Sequence, residues 1–188
     1  MKIITKQDIT RLGISPAKCV EWVTEAFKLK NRCQLPAKVS VHPTGNDFYT
    51  TMPCLLPEEY SRFGVKVVSR VAGRVPALKS DLMLFDSATG ELLSLVECDW
   101  ITAMRTGAVA TLAIKTFRST TASVYAFVGL GSTARATLTC LLESCPTEVL
   151  KGECAGRAND QERILSYNIG LGLHDVYYAN KIYELLNR

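Results

Sequence analysis

A junction in the second half of the chain restricts its fold more than any other feature. An unbroken apolar run over residues 123–128 (SVYAFV) leads straight into Gly129-Leu130-Gly131-Ser132-Thr133-Ala134, and a helical stretch, ATLTCLLES, follows. Such a run reads as a strand buried on both faces, as in parallel sheets covered by helices. G-x-G-x-x-A between a strand of this kind and a helix is the turn of a dinucleotide-binding unit. Gly129 allows the tight turn, Gly131 lets the backbone come close to a pyrophosphate, and small Ala134 lets helix and strand pack closely. Ser132 and Thr133 open the helix, whose first N–H groups face the anion. A glycine-rich turn that binds nothing has the same letters, so context decides.

The downstream context is incomplete. A dinucleotide fold needs two βαβαβ halves, at roughly 30 residues or more for each βαβ unit. Too little chain follows Gly129 for that, and no second buried parallel strand is evident. The acidic residue expected about 20 positions on, to hold the ribose hydroxyls, has only Glu148 and Glu153 as stand-ins. Neither ends a strand. The fold opens and is not completed.

The first half reads differently. Lys2–Thr5 is a short strand, Thr5 with Asp8 makes a helix start, and Ser15-Pro16 makes a second one. The helix after it sets Cys19, Val23, Ala26 and Phe27 on one face. From Lys38 the period changes to two. KVSVH turns Val39 and Val41 inward and Lys38, Ser40 and His42 outward, and a partner strand ends at Met52-Pro53. Further strands are GVKVVSRV, DLMLFD and ELLSLVE, the last two joined through Gly90. Asp99 caps a long helix, residues 164–170 read as one more strand, and a final helix sets Ala179, Ile182, Tyr183 and Leu186 on one face.

The predicted fold is therefore α/β: an N-terminal mixed, largely antiparallel sheet with helices, plus a truncated Rossmann-like βα unit. Residues 1–120 with 155–188 form the first domain, and 121–154 the truncated dinucleotide segment. At 47% hydrophobic the chain carries enough apolar material for a core. Its net charge of +4 is spread without basic runs, which argues against nucleic acid. Seven cysteines, with no C-x-x-C spacing, read as free thiols in a reducing cytoplasm. Two histidines are too few for a metal site of ordinary make-up. No run approaches a membrane span and the start lacks an export signal, so a soluble, cytoplasmic protein is expected.

Four segments, LPAKVSVHP…FYTTMP (35–53), FGVKVVSRV (63–71), LFDSATGELLSLVECDWITAMRTGAVATLAIK (84–115) and VGLGSTARA (128–136), together resemble the ornithine cyclodeaminase/mu-crystallin family. The stretch over 156–186 is similar to the family's last segment, which returns to the first domain. The resemblance implies an α/β domain that binds substrate and forms a homodimer, with a Rossmann domain inserted before the chain returns. Most of that insertion, which would fall between Cys145 and Thr147, is not found here. It further implies an NAD- or NADP-dependent oxidoreductase acting on a small amino or imino acid, with ornithine to proline plus ammonia, an ammonia-lyase outcome, as the leading reaction.

The resemblance also assigns residues. Arg105, in Met104-Arg105-Thr106-Gly107, matches the arginine that grips the substrate carboxylate, a task suited to a guanidinium fork. Its small apolar flanks set it on a buried helix; an exposed helix arginine is the plain alternative. Lys66 lies in an apolar strand, where desolvation disfavours an ammonium and suits it to proton transfer or to a second carboxylate contact. Alternation with Val65 and Val67 fits a solvent-facing lysine equally well. Lys38 matches a basic residue on a neighbouring strand, and Thr106 a cofactor-phosphate contact. The family's catalytic aspartate lies in the insertion, and no candidate for it is found. Asp81 and Asp175 read as structural. Without that aspartate the chain would hold a carboxylate and transfer no hydride. The competing readings are a non-catalytic dimerising module that keeps a carboxylate site, and a flavin or nucleotide binder of another fold.

Overall fold

The structure is a computed structural model that describes residues 1–118, 125, 127, 129–144 and 170–188. The strands expected over 123–128 and 164–170 fall almost wholly outside those residues, as do Cys145, Cys154, Glu148 and Glu153. The chain divides into two compact units. Unit 1 comprises Met1–Ile14, Glu25–Thr102 and Leu171–Arg188, and unit 2 comprises Ser15–Thr24 and Ala103–Gly170.

Unit 1 is built on a six-stranded sheet. Its strands are β1 (Lys2–Ile4), β2 (Val39–Val41), β3 (Phe48–Leu55), β4 (Arg62–Arg70), β5 (Leu78–Asp86) and β6 (Leu92–Glu97), in the order β1-β6-β5-β4-β3-β2. All pairs are antiparallel except β1 with β6. Helix α1 (Lys6–Arg11) opens with the expected capping box: Asp8 N–H donates to Thr5 Oγ1 and Thr5 N–H donates back to Asp8 Oδ2. Helix α2 (Pro16–Leu29) starts at the expected proline, and Ser15 Oγ accepts from Lys18 N–H.

One cross-strand row shows how the sheet is used. Met52, Lys66, Leu82, Val96 and Ile4 are register partners from β3 to β1, and none is more than 4% exposed. The row beside it, Pro53, Val65, Met83, Leu95 and Ile3, points to the other face and is half-buried or exposed. The buried face is covered by the last helix, α5 (Gly172–Leu185), which packs on β3, β4 and β5. Close approach needs glycine at two points. A Cβ at Gly64 would lie 2.6 Å from Val176 Cγ2, and one at Gly172 would lie 3.0 Å from the Met52 carbonyl oxygen.

Three expectations are corrected in unit 1. Val39 and Val41 are 61% and 59% exposed rather than inward. It is Ser40 that faces the buried side, its hydroxyl 2.7 Å from that of Thr50, because β2 is an edge strand and alternation alone does not say which face is covered. Strand β3 does not stop at Pro53 but runs on to Leu55. Leu55 N–H points away from β4 to the Gln34 carbonyl, so the N–H that Pro53 lacks belongs to a side where β2 has already ended. Residues 172–180 of α5 are buried on every side, so the one-face pattern describes only its later turns.

Unit 2 holds most of helix α3 (Asp99–Phe117) and all of helix α4 (Ser132–Ser144). Asp99 is the first helical residue rather than the cap; its carboxylate turns instead to Ser80. Gly107 lets α3 and α4 touch backbone to backbone, and Thr111 Oγ1 donates to the Thr137 carbonyl one turn on.

Candidate functional site

Lys66 is the cation that unit 1 keeps dry. Strand β4 turns it toward α5, and the side chain is 1% exposed. An ammonium in that setting requires an anion. The anion is Asp175, in the first turn of α5, whose Oδ2 lies 2.8 Å from Lys66 Nζ and whose side chain is 0% exposed. Lys66 Nζ also donates to Thr102 Oγ1 at 3.4 Å.

From there a hydroxyl chain runs outward. Thr102 Oγ1 lies 2.9 Å from Ser80 Oγ, and Ser80 donates through both Oγ (3.0 Å) and backbone N–H (2.6 Å) to Asp99 Oδ1. Donor order is fixed by this arrangement. Ser80 donates its proton to the carboxylate, Thr102 therefore donates to Ser80, and the Thr102 oxygen accepts from Lys66. Asp175 also acts on its surroundings: burial first, then its neighbours, Asp175 among them, push the Cys54 thiol far above its ordinary value.

Sequence reading selected Lys66 and missed its partners. Asp175, read as structural, is the closest charged neighbour of the selected lysine. A charge inside an apolar strand announces the need for a counter-ion, but not which distant aspartate provides it. Lys38 is exposed and lies one residue before β2. Carrying the Val39–Thr51 register back by one residue sets it opposite Met52, itself the partner of Lys66. That places it about 10 Å from Lys66 across two strand spacings.

The other selected residues belong to unit 2. Arg105 is 5% exposed, as a buried-helix reading requires. Its guanidinium fills the space a side chain at Gly170 would need. Thr106 is half-buried and adjoins Gly107, which meets Ala136 one turn into α4. At the head of α4, Gly129 has φ +88°, closed to most side chains, and a Cβ at Gly131 would meet nothing within 4 Å. Ser132 and Thr133 are exposed and Ala134 is half-buried. Open backbone ahead of a helix of thirteen residues suits a phosphate group. Among the described residues no cluster of His, Cys, Asp and Glu could hold a metal ion, and no helix is long and apolar enough to cross a membrane.

A mixed sheet closed by a returning helix, with a glycine turn ahead of a helix in the other unit, defines an α/β protein. Residues 2–148 match the ornithine cyclodeaminase/mu-crystallin family, and the chain belongs to it. Alanine dehydrogenase of Archaeoglobus fulgidus is 29% identical over 138 residues, which span 70% of this chain and 41% of that protein. A solved archaeal alanine dehydrogenase dimer with bound NAD matches 76% of this chain and 45% of its own, at 28% identity and a TM-score of 0.68. The Thermococcus litoralis Δ1-pyrroline-2-carboxylate reductase, solved with NADH and L-proline, matches 77% and 46%, at 29% identity and a TM-score of 0.69. A probable ornithine cyclodeaminase from Bordetella pertussis Tohama I shares the fold at 22% identity and a TM-score of 0.66. The chain spans less than half the length of these relatives.

Proposed function

We propose that this chain carries the carboxylate-holding part of an NAD(P)-dependent oxidoreductase for small amino or imino acids. The observation that carries the reading is Lys66: a fully buried ammonium held by Asp175 and Thr102 in the strand where the family pattern wants a basic residue. Among the described residues its Nζ donates to Thr102 Oγ1 and is ion-paired with Asp175, and an ammonium with three donors has capacity for a carboxylate oxygen as well. In the other unit Arg105 is a candidate in its own right for a bidentate carboxylate contact, and Lys38 is a further candidate cation of unit 1. Gly129, Gly131, Ser132, Thr133 and Ala134, with Thr106, would hold the cofactor's phosphates. Bound nicotinamide supplies hydride exchange at the substrate's α-carbon.

Alanine dehydrogenase and pyrroline-carboxylate reductase among the relatives support a carboxylate next to a C–N bond as the common substrate feature. Ornithine, with proline and ammonia as products, is one member of that class. A homodimer is the assembly we infer, supported by the dimeric relative and by the apolar row through Val65, Met83 and Leu95 on the uncovered sheet face.

A second reading, a dimerising module that keeps the carboxylate site without turnover, draws on the coverage: 41–46% of each relative's length. Titration of the full chain with NADH, read by nicotinamide fluorescence, separates the two. Saturable binding supports the oxidoreductase; none up to millimolar cofactor supports the module. Loss of L-proline binding in Arg105→Ala, with the fold retained, is expected under both, and unchanged affinity would defeat the carboxylate site itself.

A further inference from the structure

We propose that Asp175 is a positioning residue for Lys66, so that affinity for the substrate carboxylate depends on a side chain in α5 that never touches it. The inference rests on the carboxylate reading above. Its ground is the geometry around Nζ. Lysine is a flexible cation with three equivalent donors on a four-carbon stem, and on a half-exposed strand its head would sample many directions. Here the Asp175 carboxylate lies 2.8 Å from Nζ as an ion pair and Thr102 Oγ1 accepts from it at 3.4 Å, so the ammonium head is held from two sides.

Both anchors are themselves held. Thr102 is tied through Ser80 to Asp99. Asp175 sits on a helix turn buried on all sides, pinned from below by Gly64, whose missing Cβ admits Val176. Nothing in this arrangement improves packing over an apolar pair of similar volume, since buried ion pairs add little net stability against such a replacement. What the pair adds is an aimed positive charge. A carboxylate ligand arriving at Nζ meets a donor already oriented and does not have to order it, which is where preorganised sites gain affinity.

Binding of L-proline and of L-prolinamide, which lacks the carboxylate charge, tests this in the full chain by calorimetry. The wild-type protein is expected to prefer proline. Asp175→Asn, close in shape and without the charge, should cut that preference at least about tenfold while prolinamide affinity stays the same. A purely structural role would lower both affinities together. Asp175→Glu retains the charge for the case in which the Asn variant fails to fold. It moves the carboxylate by one methylene and should reduce the preference about threefold to tenfold. Preference unchanged in whichever of these variants folds, beside a wild-type preference, overturns the role of Asp175 alone. No preference in the wild type overturns the carboxylate reading, and this inference with it.

Discussion

Gly107 and Ala136 meet without a side chain between them: a Cβ on residue 107 would lie 2.6 Å from the Ala136 carbonyl carbon. Gly107→Ala therefore sets two effects against each other. Alanine gains about 1 kcal/mol in helix propensity, while forcing two backbones apart costs about 1–3 kcal/mol or more. The steric effect should win, because the obstacle is main chain rather than a movable side-chain end. Thermal unfolding is expected to show a lower midpoint for Gly107→Ala; a higher one would mean that α3 and α4 are not in contact there.

Gly170→Ala probes Arg105 without changing it. The new methyl would occupy the place of the guanidinium, a flexible end that can move. The fold should survive with a midpoint near that of the wild type, while L-proline affinity falls toward that of Arg105→Ala. Full retention of affinity in Gly170→Ala would show that the observed guanidinium position is not the binding one.

Lys66 and Asp175 should be coupled in stability. Lys66→Met leaves a buried carboxylate without its cation, at a cost of about 3–5 kcal/mol. Lys66→Met combined with Asp175→Leu removes both charges and should recover most of that loss. Denaturant unfolding of the two single variants and the double variant measures this. Additive losses would mean that the two side chains do not interact.

Acid should weaken the β5–β6 turn. Asp86 is held below the ordinary carboxylate value of 3.8, first by the backbone N–H of Thr89, then by that of Ala88, with Arg62 adding to them. A lowered folded value means that its stabilisation is complete above 3.8 and is lost as the pH falls through the lower value. Asp86→Asn should therefore unfold at a lower temperature than the wild type at pH 7. The gap should close as the solution is acidified below 3.8. A gap constant with pH would remove the carboxylate as its cause.

Thiol reactivity should follow burial. Cys19, Cys54, Cys98 and Cys140 are buried and Cys33 is half-buried. Burial, with Glu143 adding to it, pushes the Cys140 thiol up to about 12, so almost no thiolate forms near neutrality. Iodoacetamide at pH 8 with peptide mapping should label Cys33 first among these five. Equal labelling of Cys140 would contradict its placement in α4.

Strand and helix periods were readable where the letters themselves carry the signal. Thr5 with Asp8, Ser15 with Pro16, the β4–β6 segments and the full span of α3 all stand as expected. Faces were harder. KVSVH and GVKVV have the same alternating form, yet Val39, Val41, Val65 and Val67 point to the open face while Ser40 and Lys66 point to the covered one. A period of two specifies that there are two sides and leaves open which one a distant helix will cover. The same limit hid Asp175, because α5 is separated from β4 by more than half the chain. Lys66 was selected from its apolar neighbours, but the reason it can stay charged there comes from residues that no local window contains.

The placement of α5 also bears on how the molecule is made. Residues that close the hydrophobic face of unit 1 leave the ribosome only after all of residues 103–170 have been synthesised. Until then β3, β4 and β5 lack the helix that packs on them, and Lys66 lacks Asp175. The sheet of unit 1 should accordingly become protease-resistant only once α5 has been made, in one late event rather than strand by strand.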